Sequence, residues 1–382
     1  MSIASSLPAE HLRSSRSSLK WTRYPDDVLP LFVAEMDYPI SERVRAAIIE
    51  RVAASDLGYI DSAGPLAGAF ADFASQRWDW AVDPSTIRVA TDVSVGIVET
   101  LRFGVAPGTP VVVTSPVYPP FFELVEEARL PLVDVPMVEL LEGWHLDLEH
   151  IEEAFAAGAR AMLLCNPHNP LGLPHDRQTL LDLATLAARY DVLVIADEVH
   201  APLTHHGAVF TPFAAVAAEV GAKAVTVTSA SKGWNLAGAK CAVMVPSDAR
   251  ALALLDSFPE EVACRTSILG LHANVAAYAD VDWLDSSITR IMQNDVLLAG
   301  LLRRRLPLVH YRRPTATYLG WLDFRDLGFG MDPAERVLQE ARVALNSGPS
   351  FGAAGRGHAR INLACDPRVL EEAVVRMAAA FG

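Results

Sequence analysis

Apolar and polar positions change rhythm several times along the chain. After Pro39, the segment Ser41–Ser55 spaces Val44, Ala47, Ile48 and Val52 at helical intervals, and Ser41 is placed to cap its start. A second helix begins near Ser94. Five short apolar runs rich in β-branched residues follow: Val111–Thr114, Ala161–Cys165, Val192–Ala196, Val225–Thr228 and Ala242–Val245. Helical patterns separate several of them. In Arg177–Tyr190, for example, Leu180, Leu181, Leu183, Ala184 and Ala187 lie mostly on one stripe. Buried runs alternating with helices predict an α/β fold, with a mainly parallel sheet covered on both faces.

From about Asn274 the rhythm changes. A long helical stretch, Ala279–Arg305, leads to a strand-like Thr315–Phe324, a helix over Asp332–Leu345, a strand over His358–Cys365 and a C-terminal helix. This pattern predicts a smaller α+β domain. The expected organisation is an arm over residues 1–38 that packs on the small domain, a large domain over 39–273 and the small domain over 274–382. A length of 382 residues suits about two or three domains' worth of chain.

Composition narrows the function classes. The apolar share of 51% excludes disorder as a global description. With 32 Lys and Arg against 46 Asp and Glu, the net charge of −14 argues against nucleic acid or an acidic membrane surface as the main partner. The one basic stretch, His11–Lys20, reads as a solvated arm. Cys165, Cys241, Cys264 and Cys365 form no CxxC pair, which points to a reduced, cytoplasmic protein rather than a disulfide framework. No apolar run reaches the 18 residues a membrane helix needs, and none before Trp21 suggests a secretory signal.

Ligands of parallel sheets bind at the carboxyl ends of the strands. Just past the strand-like runs stand Ser115-Pro116-Val117-Tyr118, Asn166-Pro167-His168-Asn169-Pro170, Asp197-Glu198-Val199-His200 and Ser229-Ala230-Ser231-Lys232. A carboxylate, an amide, an aromatic ring and a lysine at strand ends suit pyridoxal phosphate. That cofactor needs an amine for its aldehyde, an acid beside the ring nitrogen, a donor for the ring hydroxyl, a flat side chain on the ring face and an anion site for the phosphate.

The order of these motifs, with Ser-Ala-Ser-Lys-Gly-Trp-Asn-Leu-Ala-Gly after the fourth run, resembles the fold-type I pyridoxal-phosphate enzymes of the class I/II aminotransferase superfamily. The resemblance spans nearly the whole chain. LPLFVAEMDYP near the start, DEVH in place of DExY, and GRGHARINLACDP near the end make it most similar to the MalY/PatB-like cystathionine β-lyases. The resemblance implies Lys232 as the lysine that holds the cofactor and serves as base, and Asp197 as the ring-nitrogen partner. It implies Asn169 and His200 near the ring hydroxyl and Tyr118 stacked on the ring. Ser229, Ser231, Val93, Ser94 and Lys240 would hold the phosphate. Arg360 would grip the substrate carboxylate. Tyr59 would reach a partner subunit's phosphate, making an obligate homodimer with a shared site. Tyr38, Trp234 and Ser267 are expected on the specificity side.

The chain also departs from the family pattern. The usual glycine before Val93 is missing, Asp92 puts a negative charge near an anion site, and Lys240 stands where many transaminases carry an arginine. Read without the resemblance, Asn169 is a turn residue before Pro170, His200 a buried structural histidine, and Tyr59 and Tyr118 packing aromatics.

The implied reaction cleaves cystathionine or other S-substituted cysteines to pyruvate, ammonia and a thiol. An aminotransferase uses nearly the same machinery, and a regulatory protein on the same fold is a third reading. No metal is expected, because His200, His205 and His206 lack a fourth ligand at a suitable spacing. The glycines of GAAGRG do not open a helix after a strand, so they do not suggest nicotinamide binding.

Overall fold

The computed structural model describes residues 6–381. Seven strands form the main sheet: β1 (Arg88–Ala90), β2 (Val111–Val113), β3 (Leu132–Asp134), β4 (Ala161–Cys165), β5 (Leu193–Asp197), β6 (Ala224–Thr228) and β7 (Ala242–Pro246). Their order is β1-β7-β6-β5-β4-β2-β3. Only β7 runs against its neighbours, so six strands deliver their carboxyl ends to one edge and β7 delivers its amino end there. The central strands are apolar on both faces, as a sheet covered twice requires. Leu163, Ile195, Val225 and Val227 pack with Ile97, Val98 and Leu101 of the helix Val93–Gly104. Met162, Leu164, Val194 and Ala196 face the other way, toward Leu180, Leu183 and Ala187 of the helix Arg177–Arg189. A Cβ on Gly96 would come within 2.9 Å of Val227, so a glycine lets the first of these helices lie close on β6.

Two strands of this sheet, β1 and β3, were not predicted. Unlike the all-valine β2, β1 opens on the charged Arg88, and β3 is a partly exposed edge strand that ends on Asp134, so neither leaves an apolar run to read.

The small sheet is antiparallel, with order β8 (His310–Arg312), β9 (Leu319–Asp323), β11 (His358–Asn362), β10 (Asn346–Ser347). Helices Val281–Arg305, Pro333–Ala341 and Pro367–Phe381 accompany it. The helix expected to run to Leu345 stops at Ala341. Arg342 takes a left-handed conformation (φ 55°), and Val343–Ala344 then pairs in parallel with Leu29–Pro30 of the arm. The boundary expected between residues 273 and 274 lies inside the helix Ile268–Tyr278. That helix packs on Glu42–Ala53 and Pro65–Trp78, and one apolar core runs from these helices through Leu31 and Met36 to the antiparallel sheet and its helices. Among the described residues, no helix is long and apolar enough to cross a membrane.

Residues 31–38 thread between the two sheets. The amides of Leu31 and Asp37 donate to the carbonyls of Ala344 and Ala364, and the Asn362 amide donates to Leu31. Lys20 anchors the far end of this segment. Its Nζ lies 2.7 Å from Asp37 Oδ1 and 3.1 Å from the Glu35 carbonyl, with both side chains buried. Removing one partner of a buried pair strands the other charge. Lys20→Met is therefore expected to destabilise the fold by about 3–5 kcal/mol in chemical denaturation, and adding Asp37→Leu should recover most of that loss.

Candidate active site

Where the strand ends converge, a cavity of about 220 Å³ opens between the sheet and the segment at Ala34. The fold accounts for its walls. Asp197 closes β5, Cys165 closes β4, Ser229 follows β6, Cys241 precedes β7, and Val93 and Ser94 open the helix that follows β1. Tyr118, Asn169, His200, Ser231, Lys232 and Lys240 complete the lining among the residues expected there.

Lys232 is only partly buried, because its remaining surface faces this cavity. Its Nζ donates to the Ala34 carbonyl at 3.1 Å. Desolvation, reinforced by the nearby Arg360 guanidinium, pulls the amine down to about 8, against the opposing pull of Asp197. Burial likewise pushes the Asp197 carboxyl up to about 6, although the Val199 amide donates to Oδ1 at 3.1 Å and Lys232 favours the anion. Behind it the buried Glu198 accepts from the Phe213 amide at 2.7 Å and from Thr226 Oγ1 at 3.2 Å. Burial raises the Glu198 carboxyl to about 8.

The Asn169 amide donates to Cys165 Sγ at 3.3 Å, and Asn169 Oδ1 accepts from Arg360 Nη1 at 2.9 Å. Arg360 is buried and does not line the cavity directly. Its Nη2 donates to the Phe32 carbonyl at 3.1 Å, its Nε has no partner, and its guanidinium lies 5.1 Å from the centre of the Phe351 ring. Burial lowers the guanidinium to about 10. His200 is buried, with Nδ1 unpartnered and its basicity pushed well down, first by desolvation and then by the charges of Lys232 and Arg360. The Tyr118 hydroxyl is raised to about 12, mainly by burial. Ser229 Oγ donates to the Cys241 carbonyl and accepts from the Ser231 amide, while Asn274 Oδ1 accepts from the Ala230 amide, so the turn before Lys232 is held on both sides.

Asp92 and Lys240 also line the cavity: Asp92 Oδ1 caps the helix Val93–Gly104 through the Val95 amide, and its Oδ2 pairs with Lys240 Nζ at 2.7 Å. The charge of this lysine is thus shared with a carboxylate.

Four expected residues lie elsewhere. Tyr38 is buried in the core near Asp37 and Cys365, and its hydroxyl has no partner. Trp234 packs against Phe73 and Tyr278 and donates to the Asp280 carbonyl, because an apolar ring of this size is better satisfied in the core than in a polar cleft. Ser267 caps the helix Ile268–Tyr278 through the Gly270 amide. Tyr59 is 93% exposed on this chain and does not reach the cavity. The three histidines also disperse: only His200 lines the cavity, and His205 and His206 bond to the Thr317 and Asp285 carbonyls.

Residues 26–377 match the family described as "Aminotransferase class I and II". The chain belongs to the class I and II aminotransferase family. Among its relatives, a cystathionine β-lyase of Corynebacterium glutamicum is 35% identical, covering 95% of this chain and 96% of that protein. A provisionally named cystathionine β-lyase of Mycobacterium tuberculosis is 41% identical, covering 97% and 96%. The crystal structure of a provisionally assigned PLP-dependent β-cystathionase from Corynebacterium diphtheriae superposes with a TM-score of 0.91, at 36% identity and 99% coverage of both chains. The fold is the fold-type I architecture of this family.

The residues present fit the family's cofactor. An amine of lowered basicity and a carboxylate line one cavity. An amide whose oxygen is already occupied keeps its nitrogen free to donate, a neutral histidine has an unpartnered nitrogen, and serines and a helix start stand in the same lining. Ala34, Asp92, Cys165 and Cys241 are further wall residues. Asp92 was visible as a departure from the family motif. Ala34 was not, because it acts through a backbone carbonyl that no side-chain signature marks.

Two outcomes follow. Because the Lys232 amine is half neutral near pH 8, the rate at which cofactor-free protein captures pyridoxal phosphate should rise with pH and reach half its maximum near 8, well below the roughly 10.4 of a free lysine. Asp92→Asn should tighten inorganic phosphate binding about 3–10-fold, and Lys240→Ala should weaken it by a similar factor, as read by calorimetric titration.

Proposed function

We propose that this protein is a pyridoxal-phosphate-dependent C–S β-lyase, cleaving cystathionine or related S-substituted cysteines to pyruvate, ammonia and a thiol. The observation that carries the reading is that Lys232 and Asp197 line one cavity and act on each other's charge, with Asn169 in the same lining bonded to Arg360. The cystathionine β-lyases among the relatives support the choice of reaction. Pyridoxal phosphate, when bound, supplies an aldehyde that joins an amine and a ring that draws electrons from the α-carbon.

The residues of this chain do the rest. Arg360 presents a planar fork to the planar α-carboxylate, steadied by the Asn169 oxygen at 2.9 Å. Lys232 Nζ takes the Cα proton, and an amine lowered to about 8 is poised for that task near neutral pH. Asp197 would keep an anion beside the ring nitrogen, Asn169 and His200 would serve the ring hydroxyl, and Tyr118 would cover a ring face. Ser229, Ser231, Lys240 and the amides of Val93 and Ser94 would hold the phosphate. A thiolate leaves Cβ with little acid help, because a thiol is a far stronger acid than an alcohol.

The working form is a homodimer in a reducing cytoplasm. Ile49, Val52 and Leu57 leave an exposed apolar face beside Tyr59, which suits a second copy, and all four cysteines are free.

The deciding experiment supplies cystathionine without any keto acid. A lyase releases pyruvate and thiol over many turnovers, and Lys232→Ala abolishes them. A single half-turnover that stops until a keto acid is added assigns the protein to transamination instead. Asp197→Asn should lower kcat at least 100-fold. The same change should stabilise the cofactor-free protein at pH 8 by about 1–3 kcal/mol. The sign follows from the raised carboxyl: the folded state loses stability as pH climbs from the ordinary carboxylate value through about 6, and an amide has no such loss.

A further inference from the structure

Each of the two basic groups in the proposed chemistry is followed closely in sequence by an asparagine. Asn235 stands three residues after Lys232, and Asn362 two after Arg360. Both asparagines bond to the stretch of backbone that the basic groups themselves touch. Lys232 Nζ donates to the Ala34 carbonyl, and Arg360 Nη2 to the Phe32 carbonyl. Asn235 Oδ1 accepts from the Met36 amide at 2.9 Å, while its Nδ2 donates to the Met36 carbonyl at 2.9 Å and the Tyr38 carbonyl at 3.2 Å. Asn362 Nδ2 donates to the Val33 and Glu35 carbonyls at 2.7 and 2.6 Å, and its Oδ1 accepts from the Ala364 amide. Four side chains from two distant parts of the chain thus read one eight-residue segment.

The local geometry suits this use. Asn235 has φ 61°, a left-handed conformation that asparagine tolerates better than most side chains, and this conformation lets a residue close behind Lys232 meet the same segment. Asn362 is fully buried at the end of β11 and has its amide hydrogens and oxygen all engaged. The segment is irregular over residues 31–38, so side chains rather than a strand ladder hold its carbonyls: Arg16 donates to those of Met36 and Tyr38, Lys20 to that of Glu35 and Tyr318 to that of Ala34, and the two asparagines meet the segment from the elements that carry Lys232 and Arg360.

We propose that Asn235 and Asn362 are positioning residues that clamp residues 31–38, and that the clamp presets the Arg360 fork and the Lys232 amine for an amino-acid substrate. The inference rests on the lyase reading for its substrate, but the clamp itself is independent of it. Holding the Phe32 carbonyl against one arm of Arg360 while Asn169 holds the other keeps the guanidinium in a single orientation before substrate arrives. Without the clamp, that ordering has to be achieved at each binding event, so the cost falls on substrate binding rather than on proton removal.

The test uses Asn235→Gly, which keeps the left-handed backbone while deleting the amide, and Asn362→Ala. Asn362→Ser retains an acceptor for the Ala364 amide and replaces the alanine variant should that one not fold. Hydrogen exchange is followed on cofactor-free protein, and steady-state kinetics on the holoenzyme with cystathionine. The expected result is at least tenfold faster exchange at residues 31–38 with the β4, β5 and β6 amides unchanged, together with a KM raised at least tenfold and kcat changed less than threefold. Unchanged exchange at 31–38, faster exchange everywhere, or a fall in kcat with KM intact overturns the proposal. A wild-type protein that cleaves no cysteine thioether sinks the lyase reading instead, and the exchange result then decides the clamp alone.

Discussion

The structure depends on keeping one lysine amine out of bulk water while leaving it reactive. Lys232 follows a strand end and lines a cavity, with a carbonyl at hydrogen-bond distance, a carboxylate in the same lining and a guanidinium nearby. Desolvation and the guanidinium oppose its protonation, and the carboxylate favours it. The amine settles between these, at a basicity suited to neutral pH. The fold supports this balance: the central strands are apolar on both faces, so they can carry Asp197, Cys165 and Ser229 to one dry edge without distorting the sheet.

The same economy governs the charges around the cavity. Asp197 and Arg360 are each held away from their ordinary acidity or basicity by burial, which a cofactor and a substrate of opposite charge would relieve. Asp92 and Lys240, in the same lining, are more exposed and largely neutralise each other. An anion bound there would consequently rely on hydroxyls and backbone amides more than on net positive charge. That arrangement explains how the chain accommodates the Asp92 carboxylate at the start of the helix Val93–Gly104.

Much of this was legible in the sequence because buried parallel strands write themselves as β-branched runs, and the polar residues following them mark the binding edge. Lys232, Asp197, Asn169, Tyr118, His200, Ser229 and Ser231 all lie around one cavity for that reason. What was not legible has physical causes. β1 and β3 are short and mix charged with apolar residues, so unlike the equally short all-valine β2 they leave no apolar run to detect. The helix ending at Ala341 carries helical periodicity beyond its end, and only pairing with Leu29–Pro30 reveals the break. Tyr38 and Trp234 have side chains that serve a core as well as a cleft, and sequence position alone did not separate the two uses. The contribution of residues 31–38 is made by carbonyl oxygens, which every residue possesses.

The central claim is a covalent one, and it is tested most directly by trapping the link. Protein saturated with pyridoxal phosphate, reduced with borohydride and digested, should yield a single peptide carrying the phosphopyridoxyl mass, with the added mass on residue 232. No modified peptide, or one modified at Lys240 or at a surface lysine with residue 232 untouched, would contradict the account.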